Sequence, residues 1–365
     1  MRLSVIILSY NVRYFLELCL QSVKKATCEI PAEIIVIDNN SSDESCSMVR
    51  NNYPEVILIE NKVNLGFSRA NNQAVNIANG EYVCIINPDT VIPEDTFKKI
   101  LNFSDSKNDL GIVGCRFMDG SGNFLPECKR NKPTLFSAFL KIMGIGRNYY
   151  AIGVNEKQIA EVPILTGAFM LMKNNFFKEL CGFDENFFMY GEDIDLSFRA
   201  LKMNKINYYY GDVTIIHFKG ESTIKNKEYY KRFFKAMELF YNKHYISNFL
   251  TKLVFKFILK SLPLINSTKT SNKKSEKELL FLNPHSNSLI HLNNNYKIIS
   301  SKEQIPKHIS CDLVLDSTSL TFTEIINTIS ELSNNKISFK IWPKKTSFLI
   351  GSENSYYSGD VLHIS

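Results

Sequence analysis

Leu3-Ser-Val-Ile-Ile-Leu-Ser-Tyr-Asn11 is a mainly apolar run that stops on three polar residues, the pattern of a short buried strand ending at a loop. An amphipathic helix over Tyr14–Lys25 follows, then apolar Glu33–Ile37, a polar helix over Asp43–Asn51, apolar Val56–Ile59 and a helix through Phe67–Ala78. This β-α-β-α-β alternation predicts a doubly wound, mostly parallel sheet flanked by helices. Tyr82–Ile86 adds a fourth strand, Pro93–Phe103 a helix with Pro in its first turn, and Gly111–Cys115 a fifth strand. Residues 116 to 160 are rich in Gly, Asn and Lys and predict a long irregular excursion, an acceptor-facing lid in function. Order returns over Val162–Met172, a helix around Glu192–Met203, and two strands, Ile206–Tyr210 and Val213–Ile216.

The bulk properties narrow the function. A chain of 365 residues with 44% hydrophobic and 12% aromatic content can build one large domain and a smaller one. A formal charge of +6 suits nucleotide diphosphates or an anionic lipid surface and is too weak to indicate nucleic acid. The eight cysteines (19, 28, 46, 84, 115, 128, 181, 311) have no C-x-x-C spacing, and several sit inside apolar runs, as reduced core thiols of a cytoplasmic protein would. The apolar start is too short for a signal peptide, and no window is apolar for the roughly 18 residues that a spanning helix needs.

In a doubly wound sheet, ligands bind at the carboxyl ends of the strands. Polar clusters stand at three consecutive ends: Ser9-Tyr10-Asn11, Asp38-Asn39-Asn-Ser-Ser-Asp43, and Asn64-Leu-Gly66-Phe-Ser-Arg69-Ala-Asn-Asn72. Asp38 can accept from a base or ribose, Asp43 reads as a helix cap, Gly66 marks a turn or a close approach, and Arg69 is available to a phosphate. Asn87-Pro-Asp89 follows the fourth strand and His217 the last. Glu192, Asp193 and Asp195 crowd a helix entry beneath the aromatic run Phe187-Phe-Met-Tyr190. Acids there also complement a helix dipole, but their company with Asp89 and His217 points to a reaction centre.

These pieces resemble the family 2 glycosyltransferases of the GT-A fold, in particular the rhamnosyltransferase-like bacterial branch. The likeness runs from about residue 3 to 245, through Val5–Asn11, Val36–Asp43, Asn64–Asn72, Ile86–Thr90, Leu165–Met170, Gly182–Arg199 and His217–Thr223. It implies an inverting transfer from a nucleoside diphosphate sugar, dTDP- or UDP-linked, to an acceptor hydroxyl of a glycan or lipid-linked glycan in surface polysaccharide synthesis. On that reading Asp193 is the base that takes the hydroxyl proton. Glu192 positions the acceptor or the base, and Asp195 is structural. Ser9, Tyr10, Asn11, Asp38, Asn39, Asn64, Gly66, Arg69 and Asn87 line the nucleotide. Mg²⁺ or Mn²⁺ would neutralise the diphosphate through Asp89 and His217. Many members carry Asp-x-Asp where this chain has Asn87-Pro-Asp89; Asn-Pro-Asp is common in the rhamnosyltransferase-like branch. Small Thr166, Gly167 and Ala168 leave room for acceptor and donor sugar. A nucleotidyltransferase would need a Gly-rich phosphate loop after the first strand, which Ser9-Tyr-Asn11 is not. A non-catalytic sugar-nucleotide or membrane-docking module with the same fold is the alternative.

Three parts are expected: a GT-A domain over 1–247, an amphipathic basic helix and linker over 248–278, and a small α/β appendage over 279–365. Lys252, Lys256 and Lys260 recur every four residues among Phe, Leu, Val and Ile, a composition that suits peripheral contact with the inner membrane face and equally a helix packed on the enzyme body. The appendage shows its own alternation over Leu279–Leu282, Cys311–Leu315, Thr323–Leu332 and Ile337–Ile341. It resembles a Rossmann-like unit behind some bacterial sugar transferases, through Ile350–Asn354 and Gly359-Asp360. No dinucleotide fingerprint follows its first strand, so a docking or regulatory role is expected. His285 and His291 read as surface residues.

Overall fold

The computed structural model describes residues 1–134, 149–219, 227–245, 278–284, 296–305, 311–333, 337–352 and 359–364. The basic segment 249–262, the linker 266–277, His285 and His291 lie outside the described residues. In chain order the first unit contains β1 (Leu3–Ser9), α1 (Arg13–Thr27), β2 (Ala32–Asp38), α2 (Ser45–Asn52), β3 (Ile57–Glu60), α3 (Phe67–Ile77), β4 (Tyr82–Ile86), β5 (Thr90–Val91), α4 (Thr96–Asp105) and β6 (Leu110–Met118). It continues with β7 (Lys129–Arg130), β8 (Ile159–Glu161), β9 (Ile164–Leu165), β10 (Phe169–Lys173), α5 (Asn174–Glu179), α6 (Glu192–Lys202), β11 (Ile206–His217) and α7 (Lys227–His244). Nine strands form one sheet in the order β3-β2-β1-β4-β10-β6-β11-β5, with β8 added on β11. β3, β2, β1 and β4 run parallel, as do β6 and β11, whereas β10 is antiparallel to both its neighbours. β4 and β6 are buried at every position, as strands covered on both faces must be. No described helix is long and apolar enough to cross a membrane.

Three local expectations change. Ile206–Tyr210 and Val213–Ile216 are one strand, because a register shift between Tyr210 and Thr214 absorbs the Gly-Asp that reads as a turn. The apolar stretch Val162–Met172 breaks into β9 and β10 around Thr166–Ala168, where the backbone leaves the ladder to meet Asn87 N–H through Ala168 C=O at 3.1 Å. The helix expected from Pro93 starts at Thr96, which frees the Glu94 side chain for a distant partner.

That partner belongs to a second unit: β12 (Glu278–Leu282), β13 (Tyr296–Ile299), β14 (Cys311–Asp316), α8 (Phe322–Leu332), β15 (Ile337–Trp342), β16 (Phe348–Gly351) and β17 (Asp360–His363). Its six strands are ordered β13-β12-β14-β15-β16-β17, the first four parallel. Buried side chains of both units form one cluster, in which Phe15, Leu18, Val91, Met118, Ile216 and Phe218 pack with Ile325, Ile326, Ile329 and Phe348. At its rim Glu94 accepts from Phe322 N–H at 2.6 Å, Thr323 N–H at 3.0 Å and the Thr323 hydroxyl at 2.6 Å. These bonds outweigh the upward effect of burial and hold the Glu94 carboxyl below its usual range. A carboxylate on the first N–H groups of a helix also meets the positive end of its dipole. Glu94→Ala is expected to destabilise the junction by about 1–2 kcal/mol, read as faster hydrogen exchange of α8 amides with β1–β4 unchanged.

Candidate active site

The ends of the first three strands are stitched together by their own polar residues. Asn11 sits at φ 54°, and its Oδ1 accepts from Ser42 N–H at 2.7 Å while its N–H donates to Ser41 Oγ at 2.9 Å. Asp38 accepts from Ser41 N–H at 2.8 Å and from its hydroxyl. Asn39 Nδ2 donates to Asn64 Oδ1 at 3.2 Å and to Gly66 C=O at 3.1 Å. Ser9, Asn11, Asp38, Asn39, Asn64 and Gly66 therefore converge on one crevice, with Tyr10 half-buried beside them. Buried Ser9 Oγ has no hydrogen-bond partner among the described residues.

Three sequence readings take a different form. Arg69 pairs with Glu185 at 3.1 Å on the exposed face of α3. Asp43 lies one residue before the cap of α2, and accepts from both Ser45 N–H at 3.0 Å and Arg13 N–H at 2.9 Å, joining two helix starts. What approaches Gly66 is the chain itself: at φ 81°, a Cβ there would stand 2.4 Å from the Phe188 carbonyl oxygen.

Two positive-φ residues, Tyr190 at 72° and Gly191 at 82°, deliver the chain into α6. Glu192 and Asp193 thus occupy its first turn. Asp193 Oδ2 accepts from Arg130 at 3.1 Å and from Gly167 N–H at 3.2 Å, and Oδ1 from Ile194 N–H at 2.8 Å. Each carboxylate oxygen has two lone pairs, so acceptor capacity remains. Arg130 also donates to Thr166 Oγ1 at 2.6 Å and, through Nε, to Glu127 C=O at 2.9 Å. Sequence reading missed Arg130: it stands in the aperiodic stretch after β6, and only the adjoining Lys129-Arg130 pair of charges marks it.

Glu192 is buried with Oε2 unpartnered among the described residues. Burial first, and then the charge of Asp193, push its carboxyl up to about 8. A carboxyl raised on folding contributes stability that is complete below its unfolded value near 4.5 and lost as pH rises through 8. Glu192→Gln is expected to flatten that slope, whose ceiling is about 1.4 kcal/mol per pH unit, and to raise the denaturation midpoint at pH 8 relative to wild type. Asp195 is different: fully buried, it pairs with Arg199 at 2.7 Å, Lys243 at 2.8 Å and His244 at 2.7 Å. Burial works upward, but these partners hold its carboxyl down at about 2. Its work is to fasten α7 to α6, in keeping with the structural reading.

Across Thr166–Ala168 lies the second half of the site. Asp89 Oδ1 faces His217 Nε2 at 3.4 Å, both residues buried, with Asn87 Nδ2 also 3.4 Å from that nitrogen. Asp89 Oδ2 is occupied by Lys219 N–H at 3.1 Å. Lys219 Nζ pairs with Glu127, whose carboxyl is lowered because this charge overrides its burial. Oδ1 and Nε2 are longer apart than a hydrogen bond, and both are hard or borderline donors suited to a small divalent cation. Among the described residues no group of three His, Cys, Asp or Glu side chains comes together to hold a metal. A cation held here would take its other ligands from water and substrate oxygens, the usual habit of Mg²⁺.

A mostly parallel sheet flanked by helices thus carries an acid after β4 and a carboxylate pair at the start of α6. Residues 4–181 match the model described as glycosyl transferase family 2. N-acetylglucosaminyl-diphospho-decaprenol L-rhamnosyltransferase of Mycobacterium tuberculosis is 26% identical over 238 residues, 60% of this chain and 77% of that protein. Rhamnosyltransferase WbbL of Escherichia coli K12 is 26% identical over 180 residues, 45% of this chain and 65% of that protein. Among solved structures, Staphylococcus aureus TarS 1–349 in complex with UDP-GlcNAc has a TM-score of 0.48 at 19% identity, covering 71% of this chain and 70% of that one.

Proposed function

We propose that this protein transfers one sugar, with inversion, from a dTDP- or UDP-linked donor to a hydroxyl of a glycan or lipid-linked glycan in bacterial surface polysaccharide synthesis, at the cytoplasmic face of the membrane. The observation that carries the reading is the placement of Asp193. A buried carboxylate, fixed by Arg130 and the Gly167 N–H, stands across Thr166–Ala168 from Asp89 and His217. In one such crevice the acceptor hydroxyl can lie against Asp193, which takes its proton as attack begins. Asp89 and His217 would hold Mg²⁺ or Mn²⁺, which would supply neutralising charge to the departing diphosphate. Arg130 orients the base, and Glu192, with its raised carboxyl, can keep a proton near neutral pH and donate a hydrogen bond to the acceptor. Relatives named as rhamnosyltransferases support a deoxyhexose donor.

Calorimetric binding of UDP, dTDP and GDP, each with and without Mn²⁺, tests the donor class. Selective, metal-dependent binding of UDP or dTDP is the expected result. If no nucleotide binds under any condition, the non-catalytic module becomes the better account.

A further inference from the structure

The chain leaves the end of β11 through His217, Phe218 and Lys219. His217 Nε2 faces Asp89 Oδ1 at 3.4 Å and the Lys219 N–H meets Asp89 Oδ2 at 3.1 Å, while Phe218 between them is 2% exposed and buried in the cluster that the two units share. We infer that the second unit is a working part of the donor site: through Phe218 it holds His217 and Lys219 on Asp89, and so sets how firmly a cation and its diphosphate are bound there. The inference rests on the glycosyltransferase reading and gives the second unit a role within it.

Local structure does not hold this segment by itself. β5 is the edge of the first sheet and only two residues long, and its register with β11 is Thr90 on His217 and Val91 on Ile216. A ladder this short is marginal without apolar packing. Lys219 stands at φ 65°, a left-handed conformation that persists in a residue with a side chain only where its surroundings enforce it. The Phe218 N–H donates to Asp89 C=O at 3.0 Å, so a shift of Phe218 carries the backbone of Asp89 with it.

The packing that enforces it comes from both units. Val91, Ile216 and Phe218 share one cluster with Phe348 and Ile350 of β16 and with Ile329 of α8. On the side of the first unit the Phe15 ring stands edge-on to Phe218, with 5.1 Å between centroids. Gly120 lies against both units: a Cβ there would stand 2.9 Å from Phe218 Cδ1 and 3.0 Å from Ser352 Cβ. Close packing of this kind passes a displacement from one side to the other. The second unit is also fastened to α1, where Gln21 Nε2 donates to Lys344 C=O at 3.0 Å and the Lys344 N–H to Gln21 Oε1 at 2.9 Å. A module free to dock elsewhere would not cover Val91, Ile216 and Phe218.

Two neighbours on β16 supply the test. Ile350 and Leu349 are both buried, but Ile350 enters the shared cluster and Leu349 the cluster on the opposite face of the second sheet. Ile350→Ala and Leu349→Ala remove the same apolar bulk and should destabilise the full chain alike. Hydrogen exchange at the Phe218 and Lys219 amides, without ligand, is expected to quicken in Ile350→Ala and not in Leu349→Ala. The gain in UDP or dTDP affinity on adding Mn²⁺, read by calorimetry, should fall by about 10–100-fold in Ile350→Ala and Phe218→Ala, the range seen when the support of a metal ligand is removed. Leu349→Ala and the conservative Phe218→Leu should keep most of it. Where Ile350→Ala fails to fold, Ile350→Val takes its place with a smaller effect in the same direction. Equal exchange and equal Mn²⁺ dependence in the two β16 variants overturn the inference, as does faster exchange at these amides with the Mn²⁺ dependence intact. If wild type binds no nucleotide the transferase reading fails, and exchange alone still decides whether the second unit holds His217 and Lys219.

Discussion

Asp193→Asn is expected to lower sugar transfer by about 10²–10⁴-fold, the range that a positioned general base supplies, with nucleotide affinity unchanged. The amide keeps the side chain's size, and its oxygen can still accept from the Gly167 N–H that lies 3.2 Å from Oδ2. It cannot take a proton from an attacking hydroxyl. It also leaves Arg130 without its anion in a site where both side chains are only 11% exposed. An unpaired buried charge is costly, so circular dichroism and nucleotide binding must be measured on the same variant to separate lost chemistry from lost structure. Wild-type turnover by a folded Asp193→Asn protein would remove Asp193 from the role of base.

Asp89→Ala is expected to abolish Mn²⁺-dependent nucleotide binding. Removing a group that only supports a metal ligand weakens affinity by about 10–100-fold, so loss of the ligand itself should exceed that. Asp89 can spare one oxygen for a cation: Oδ2 is taken by Lys219 N–H, while Oδ1 faces His217. His217→Ala should weaken the same binding less, because a ring nitrogen brings no negative charge. Titration of UDP and dTDP with and without Mn²⁺ reads both effects. Metal-dependent binding that persists undiminished in Asp89→Ala would place the cation elsewhere.

Most of the crevice was legible because its residues stand at the ends of apolar runs, where a strand must stop and a loop must begin. Ser9, Asp38 and His217 are the last residues of β1, β2 and β11, and Asn87–Asp89 follows β4 directly. The pairing of Arg69 with Glu185, 116 residues away, was not legible, because an Arg on an exposed helix face has no local signal for which carboxylate it will meet. Gly66 reads in the sequence as a turn or a close approach to a ligand, and the group that stands against it, the Phe188 carbonyl, is set by the turn through Tyr190 and Gly191.

Periodicity and turn chemistry are local, acting over a few residues, and so the sequence by itself determined the alternation of strands and helices, the polar clusters at the strand ends and the acids at the entry of α6. Pairings between remote residues are not encoded in any window. Arg130 meets Asp193 across 63 residues, and Glu94 caps α8 across more than two hundred. Only the tertiary structure decided these contacts, together with the shared core of the two sheets, because each arises where separately folded surfaces come into register.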